Sequence, residues 1–83
     1  MNKFFWNETK SSRLKQVRGV DFKEIITGEI LDVINNPSRN NQKMLVVKYR
    51  DYCWAVPFVA TEEGAFLKTI YPSRKLKKIY LES

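Results

Sequence analysis

Eighty-three residues suffice for one small hydrophobic core, so we expect a single domain over residues 1–83. Fifteen basic and nine acidic residues give a net charge of +6. This charge favours a polyanionic partner, although it could also serve solubility alone. Among polyanions, nucleic acid is the first candidate, an acidic protein the second and an anionic membrane surface the third. The lack of histidine and the small number of glycines exclude Ser-His-Asp and Cys-His sites, histidine zinc sites and glycine-rich phosphate loops, so no metal or cofactor is expected.

The cysteine content and the hydropathy pattern indicate the compartment. Cys53 is the one cysteine of the chain, so it forms no disulfide within the chain, and its apolar neighbours predict a small buried residue. The segment Met1–Trp6 is too short for a signal peptide, and polar residues follow it directly. No apolar run approaches the roughly 20 residues of a membrane span. We therefore expect a soluble, cytoplasmic protein without a membrane partner.

The start of the chain predicts a short strand and a helix. Phe4–Trp6 is an apolar run of the kind found in edge strands, and Asn7 follows as an N-cap for a helix that extends to about Arg18. Gly19 suits the left-handed position that ends such a helix. One face of this helix is basic, and we interpret it either as a solvated face or as a contact for nucleic acid or an acidic partner; it carries Lys10, Arg13, Lys15 and Arg18.

A second helix is predicted to begin directly after the first. Asp21 as N-cap and Glu24 three residues later form a capping box, and Val20 and Ile25 occupy the positions of a hydrophobic staple. This helix is expected to be short, because Thr27-Gly28 is a stop signal. The two helices should therefore form an αα-hairpin.

The middle of the chain predicts the main sheet. Residues 29–34 alternate and are interpreted as a strand, with a helical continuation as the alternative, and the polar run 35–42 is a loop. Two β-rich runs, 43–49 and 52–59, are expected to pair around a two-residue turn at Arg50–Asp51. That register places seven large side chains on one face, which should be the core that the helices cover: Leu45, Val47, Tyr49, Tyr52, Trp54, Val56 and Phe58.

A further strand is predicted to return along the second of these runs. A loop at 61–64 leads into a strand over 65–71, with Leu67 opposite Phe58 and Tyr71 opposite Trp54. This register places Tyr71 on the core face and turns residues 66, 68 and 70 to the opposite face.

The face opposite the core is expected to be a shallower and partly basic surface. It carries Lys48, and the predicted register adds Lys68 to it. Pro57 lies on the same face and cannot donate to a ladder, so its strand should be an edge strand or be bulged at that point. The last strand ends at Arg74, beside this surface.

The C-terminal segment contains the candidate site. The basic segment after Pro72 has Leu76, Ile79 and Tyr80 at helical spacing, so a short helix is expected to turn these three side chains to the core. Cations at the start of a helix oppose its dipole, and such a local conflict often marks function. Arginine suits bidentate phosphate binding, so Pro72–Arg74 is the predicted phosphate site. The predicted RNA contacts are Lys48, Arg50, Ser73, Lys75, Lys77 and Lys78, with a solvated basic tail as the alternative for the last three.

Such a site could cleave RNA without a metal. Attack by the RNA's own 2′-hydroxyl needs a base, charge stabilisation at the phosphate and an acid for the leaving oxygen. The candidate catalytic residues are Arg74, Lys68 and Tyr71. Arg74 could stabilise the phosphorane, a desolvated lysine could act as base, and Tyr71 or a second lysine could donate the proton or stack.

Two stretches of the sequence resemble a known family. The order Phe5-Trp6-Asn7-x-x-Lys10, then Leu14, then Arg18-Gly19-Val20-x-Phe22-x-Glu24 is similar to the N-terminal signature of BrnT-type toxins, with Asn7 where that signature has Asp. The ending Leu67–Lys75 looks like that of small toxins in the same broad group, although the arginine comes one step beyond Pro72-Ser73. The ordered set of motifs covers nearly the whole chain.

The resemblance implies a fold, an activity and partners. The implied fold is α+β and RelE-like, with two N-terminal helices packed on one face of a mainly antiparallel sheet and a short C-terminal helix. The implied protein is the toxin of a type II toxin–antitoxin module, an endoribonuclease that cleaves mRNA, on the ribosome or free, and inhibits translation. Its partners would be a cognate antitoxin encoded next to it, with a ribbon-helix-helix part, and operator DNA bound through the complex. The family's basic residue near the end of the last strand falls on Arg74.

Two other functions remain compatible with the sequence. The first is a non-catalytic RNA- or DNA-binding module that uses the same surface. The second is a regulatory protein whose basic faces bind an acidic partner, in which case its nucleic-acid affinity should be weak and depend little on salt.

Overall fold

The computed structural model describes residues 3–82, so Met1 and Asn2 of the segment Met1–Trp6, and Ser83, lie outside the described part. Its elements are β1 (Phe4–Phe5), α1 (Glu8–Arg18), α2 (Phe22–Ile25), β2 (Glu29–Asn35), β3 (Lys43–Tyr49), β4 (Tyr52–Ala60), β5 (Ala65–Leu67), β6 (Tyr71–Pro72) and α3 (Arg74–Tyr80). The strands form one sheet in the order β1-β5-β4-β3-β2, and β6 pairs with β4. The β1–β5 pair is parallel and the other pairs are antiparallel, so the predicted α+β class is confirmed.

Helix α1 has the predicted caps at both ends. The Asn7 side chain accepts a hydrogen bond from the backbone N–H of Lys10 at 3.0 Å. Gly19 has a φ of 79°, a left-handed conformation that glycine adopts without strain, and its N–H donates to the carbonyl of Lys15. Both ends of the first predicted helix are therefore confirmed.

Helix α2 starts with the predicted capping box. The Asp21 carboxylate accepts from the Glu24 N–H at 2.8 Å, and the Glu24 carboxylate accepts from the Asp21 N–H at 3.3 Å. The buried hydroxyl of Ser11 in α1 accepts from the Phe22 N–H at 3.1 Å, which satisfies another N–H of the first turn. Phe22 and Ile25 are fully buried and belong to one hydrophobic cluster with Leu14 of α1 and with residues of the later strands.

The β3–β4 hairpin pairs in the predicted register over the whole length of β3. Arg50 and Asp51 form its turn with φ values of 53° and 60°, and a type I′ turn requires positive φ at both positions. The face that this register turns towards α1 and α2 belongs to the main core, whose buried members are Leu14, Val20, Phe22, Ile25, Leu45, Val47, Val56, Phe58, Ala65, Leu67 and Ile70.

The chain's return along β4 departs from the predicted register by one residue. Leu67 lies opposite Phe58 as predicted, but Tyr71 lies opposite Ala55 and not opposite Trp54. Along β4, Phe58 and Ala55 are three residues apart. Their partners in the returning chain, Leu67 and Tyr71, are four residues apart. One extra residue therefore lies between β5 and β6.

Pro57 provides a physical reason for the extra residue. It has no N–H for the ladder, and its carbonyl accepts from the Lys68 N–H at 2.8 Å just where β5 ends. Neither of the two sequence expectations for this strand is observed, since β4 lies inside the sheet and keeps its register with β3 through Pro57; the extra residue lies in the chain opposite Pro57. The side chain of Ile70 belongs to the main core, and that of Tyr71 lies on the opposite face, so the predicted faces of these two residues were wrong. The Ile70 carbonyl accepts a hydrogen bond from the Arg18 guanidinium at 2.9 Å.

The face opposite the main core is covered by α3. Leu76, which is 8% exposed, packs there against apolar side chains of β3 and β4. The predicted open surface lined by Lys48 and Lys68 is therefore wrong, because the apolar side chains of this face are shielded by a helix. Ile79 is 50% exposed, so it does not enter a core as expected. The second, smaller core consists of Met44, Val46, Cys53, Ala55 and Leu76.

Strand β1 joins the β5 edge through a close backbone contact. The Ala65 N–H donates to the Lys3 carbonyl at 2.9 Å. Gly64 has a φ of 155°, and a Cβ at this position would lie 2.2 Å from the same carbonyl oxygen, so only glycine permits the approach. The predicted edge strand at the start of the chain is confirmed.

Candidate functional site

A basic groove lies along the molecule where the chain passes from β5 to β6. Two adjoining depressions of about 590 and 340 Å³ form it, and Lys10 and Lys68 line both of them. The first depression lies between the start of α1 and β5, and the second is bounded by the loop between β2 and β3. We define the basic groove by its four cations and two aromatic rings, which are Lys10, Arg13, Arg39, Lys68, Phe66 and Tyr71.

The positive charge of the basic groove is not neutralised by neighbouring acids. No carboxylate of residues 3–82 lines either depression. The ion pairs found within the described chain lie elsewhere, and none includes one of the four groove cations: Lys15–Glu24, Arg50–Glu24 and Lys77–Glu82. Four cations without ion pairs, spread over two adjoining depressions, attract a polyanion such as a nucleic acid backbone.

Two half-buried rings stand among these cations. The Lys68 ammonium nitrogen lies 5.3 Å from the centroid of the Phe66 ring, a cation–π contact. Tyr71 is half-buried, and its hydroxyl lies 4.0 Å from the Met44 sulfur, which is a weak acceptor. Rings beside unpaired cations are the combination that proteins use to bind single-stranded nucleic acid.

The three predicted catalytic residues are only partly brought together. Lys68 and Tyr71 line the same depression of the basic groove. Arg74 is the exposed first residue of α3 and is not among the residues that line the groove. Ser73 is the N-cap of α3, and its hydroxyl accepts from the Leu76 N–H at 3.1 Å, which gives this side chain a structural role.

Lys48 lies at the other end of β4 from Lys68. Lys48 pairs with Cys53, whereas the Lys68 N–H reaches the carbonyl of Pro57. Four residues of strand separate these two points, a distance of about 13 Å. The sheet therefore does not unite Lys48 and Lys68 in one site.

The remaining predicted RNA contacts are scattered over other surfaces. Arg50 donates to the Glu24 carboxylate at 3.0 Å at the hairpin end. Lys77 lies 5.0 Å from the centroid of the Tyr52 ring and 3.5 Å from the Glu82 carboxylate. Lys75 lines a separate apolar groove beside α3, and Lys78 is exposed on the same helix.

Three groove cations were not among the predicted catalytic or RNA-binding residues, although Lys10 and Arg13 belong to the basic helix face for which contact with nucleic acid or an acidic partner was one of two interpretations. Lys10 and Arg13 are three residues apart, which places them on one face of α1, so the sequence carried a signal for this pair. Arg39 lies in the polar loop, where no periodic pattern fixes the direction of a side chain. It joins the groove only because the loop bounds the second depression.

The shifted pKa values belong to structural contacts outside the basic groove. A hydrogen bond from Lys15 is the main cause that lowers the pKa of Glu24. The Tyr80 hydroxyl donates to the Asp32 carboxylate at 2.6 Å, which lowers the pKa of Asp32 and raises the pKa of Tyr80. Burial raises the pKa of the Cys53 thiol.

Within residues 3–82, no group of three or more His, Cys, Asp or Glu side chains could hold a metal ion. In the same range, no helix has the length and apolar character needed to cross a membrane.

Comparisons of the chain with protein family models, with curated proteins and with solved structures find no match. Arguments about function therefore rest on the basic groove and on the chemistry of its side chains.

Proposed function

We propose that the chain is the toxin of a type II toxin–antitoxin module, a metal-independent endoribonuclease that cleaves mRNA and inhibits translation. The observation that carries the proposal is the basic groove, in which four cations without ion pairs stand beside two half-buried rings and no described carboxylate. Phosphates of a single strand suit the cations, and unpaired bases suit the rings. The resemblance to BrnT-type toxins favours a nuclease, and a RelE-like arrangement of the fold is part of this proposal.

The proposed reaction uses the 2′-hydroxyl of the RNA as nucleophile. The neutral amine form of Lys68 takes the proton of the 2′-hydroxyl, the resulting 2′-oxygen attacks the phosphorus, and the bond from phosphorus to the 5′-oxygen breaks. The Tyr71 hydroxyl protonates the leaving 5′-oxygen, and Lys10, Arg13 and Arg39 hold the phosphates on either side. The products are a 2′,3′-cyclic phosphate and a 5′-hydroxyl end. Arg74 lies outside the groove, so its role at the phosphate stays a prediction.

The proposed partners follow from the resemblance. A cognate antitoxin encoded next to the chain, with a ribbon-helix-helix part, would neutralise it, and their complex would bind operator DNA. The net charge of +6 suits an acidic protein as well as RNA.

Cleavage of labelled RNA tests the proposal. Purified protein should cut single-stranded RNA in the presence of EDTA and leave 5′-hydroxyl ends, and RNA with deoxyribose at the cut position should resist. Lys68→Gln and Tyr71→Phe should each lower the rate of cleavage by about 100-fold, the lower end of the contribution of one acid or base. Lys23→Gln and Tyr52→Phe are matched controls outside the groove and should cut as the wild type does.

Expression in cells provides a second readout. Growth should stop on expression of the wild type and continue with Lys68→Gln or Tyr71→Phe, and Arg74→Ala tests the predicted role of that arginine in the same assay. Unchanged cleavage by Lys68→Gln and Tyr71→Phe, with the fold verified by circular dichroism, would refute the roles assigned to these residues.

A non-catalytic RNA-binding module is the second candidate function. It is favoured by the chemistry of the basic groove, because the chain has no histidine and no described carboxylate lines the groove to serve as a conventional base. In the same experiment this candidate predicts protection of the RNA without new ends.

A further inference from the structure

A second groove, apolar in character, runs beside α3 on the covered side of the sheet. It encloses about 300 Å³ between α3 and the loop that joins β2 to β3. Leu76 and Met44 are buried at its base, and Ile79 is 50% exposed. We define the apolar groove by six of its side chains, which are Ile34, Pro37, Met44, Leu76, Ile79 and Tyr80.

The edge of the apolar groove is cationic. Lys75 lines it, and Arg74 and Lys78 are exposed on the same helix. None of the three forms an ion pair with a residue of the described chain. No carboxylate of residues 3–82 lines the groove.

These cations do not stabilise the helix that carries them. Arg74 and Lys75 occupy the first turn of α3, which contains no acidic residue, and positive charge at a helix N-terminus opposes the helix dipole. An unfavourable local choice next to an apolar depression indicates that the charges act on something outside the chain.

We propose that the apolar groove binds an acidic amphipathic segment of a partner protein. Apolar side chains along one face of that segment enter the groove between α3 and the β2–β3 loop, and its carboxylates pair with Lys75 and Lys78. This mode is the usual docking of an amphipathic helix in a hydrophobic depression with complementary charge at the rim. The proposal does not depend on the nuclease activity, because Lys75, Lys78 and Ile79, on which it rests, do not line the basic groove; Tyr71 lines both grooves.

The polar groups around the apolar groove argue against RNA as its occupant. The Tyr80 hydroxyl already donates to Asp32, and the Ser73 hydroxyl already accepts from the Leu76 N–H. The Tyr71 hydroxyl, which also lines the groove, lies 4.0 Å from the Met44 sulfur, and the other lining residues apart from Lys75 are aliphatic or thioether, so base edges would find few hydrogen-bond partners there. Aliphatic side chains of a peptide fit the same floor without this loss.

Binding of a synthetic peptide tests the proposal. The probe is a fluorescein-labelled amphipathic peptide of about four helical turns, with Leu on one face and Glu on the other. We expect a Kd on the order of 10 µM by fluorescence anisotropy, as suits a small transient interface. The 13C-labelled methyl group of Met44 should shift on titration, because this side chain lies at the base of the groove.

Paired variants locate the binding surface. Lys75→Glu with Lys78→Glu should weaken peptide binding by about tenfold or more, and Ile79→Ser by about fivefold. Lys23→Glu on α2 and Val17→Ser on α1, where Val17 is 72% exposed, are the matched controls and should bind as the wild type does. A peptide with Lys in place of Glu should not bind.

Four results would overturn the proposal. The first two are no binding of the acidic peptide, and binding without a shift of the Met44 methyl signal. The other two are equal losses of peptide affinity in the charge variants and their control, and a loss of RNA binding by Lys75→Glu with peptide binding unchanged. The last result would assign the α3 cations to nucleic acid. RNA cleavage by the wild type is measured separately, so a failure of this proposal is distinguishable from a failure of the nuclease.

Discussion

At the scale of single residues, Glu24 joins the two N-terminal helices to the hairpin. Its carboxylate accepts from Lys15 of α1, from the Tyr49 hydroxyl at 3.1 Å and from the Arg50 guanidinium at 3.0 Å, and it also completes the capping box with Asp21. One carboxylate thus contacts α1, the start of α2 and the end of the β3–β4 hairpin. This network also holds Arg50, whose positive φ is unfavourable for a residue with a side chain.

Glu24→Gln should destabilise the fold in a pH-dependent way. The hydrogen bond from Lys15 is the main cause that lowers the pKa of Glu24 below 4.5 in the folded protein. The ionised carboxylate therefore stabilises the fold at pH values above the pKa that Glu24 has in the unfolded chain. This stabilisation is lost as the pH falls through the lowered pKa of the folded state. We expect a loss of about 1 kcal/mol at pH 7, because the ion pairs are partly exposed, and a difference that shrinks towards zero in acid. Urea unfolding at a series of pH values measures this, with exposed Glu29→Gln as control. A loss that stays constant with pH would contradict the assigned role.

At the scale of elements, caps and turns were predictable because their signals are local. Asn7, Gly19 and the Asp21 capping box act within a few residues of the chain, and the turn at Arg50–Asp51 fixes the register of the whole hairpin. The step from β5 to β6 was not predictable in this way. It depends on an extra residue opposite Pro57, and a shift of one residue reverses every side chain beyond it.

The candidate site was less predictable than the fold for a similar reason. Lys68 and Tyr71 are three residues apart, but the predicted register placed them on opposite faces of the sheet, and Tyr71 reaches its observed face because of the extra residue between β5 and β6. Their neighbours Lys10 and Arg39 come from α1 and from the β2–β3 loop, and only tertiary packing brings these elements to the same depression. Sequence periodicity places side chains on a face of one element and does not show which faces meet.

Leu76→Ala should loosen α3 and expose the thiol beneath it. Leu76 is 8% exposed and packs in the same small core as the fully buried Cys53, and α3 has only seven residues to hold it in place. Removal of a buried Leu side chain costs about 2–5 kcal/mol, which favours local opening of this helix over global unfolding. We expect the reaction of Cys53 with a thiol reagent to accelerate by about tenfold or more, also because burial raises the pKa of this thiol.

The control for this experiment is Val17→Ala on α1, which removes an aliphatic side chain that is 72% exposed. It should leave the reactivity of Cys53 unchanged. Equal rates for Leu76→Ala and the wild type would show that α3 does not control access to the thiol.

At the scale of the whole molecule, the excess charge is distributed unevenly over the surface. Lys15 and Arg50 share Glu24, and Lys77 pairs with Glu82. The basic groove and the first turns of α3 carry cations without such partners. Two surfaces thus each gather several cations without ion pairs in the described chain, and each of them suits a different kind of partner.

The salt dependence of RNA binding tests how the basic groove uses its charge. Four groove cations that each neutralise one phosphate of a single strand predict that log K falls with log salt concentration with a slope of about −3. Lys68→Gln should make this slope shallower by about 0.7, because one counterion fewer is released. Titrations of labelled single-stranded RNA at several salt concentrations, on variants with verified folds, provide the slopes. The control Lys23→Gln removes an equal charge from α2, outside the groove, and should leave the slope as in the wild type. Equal changes of the slope in both variants would mean that the whole surface, and not the groove, binds the RNA.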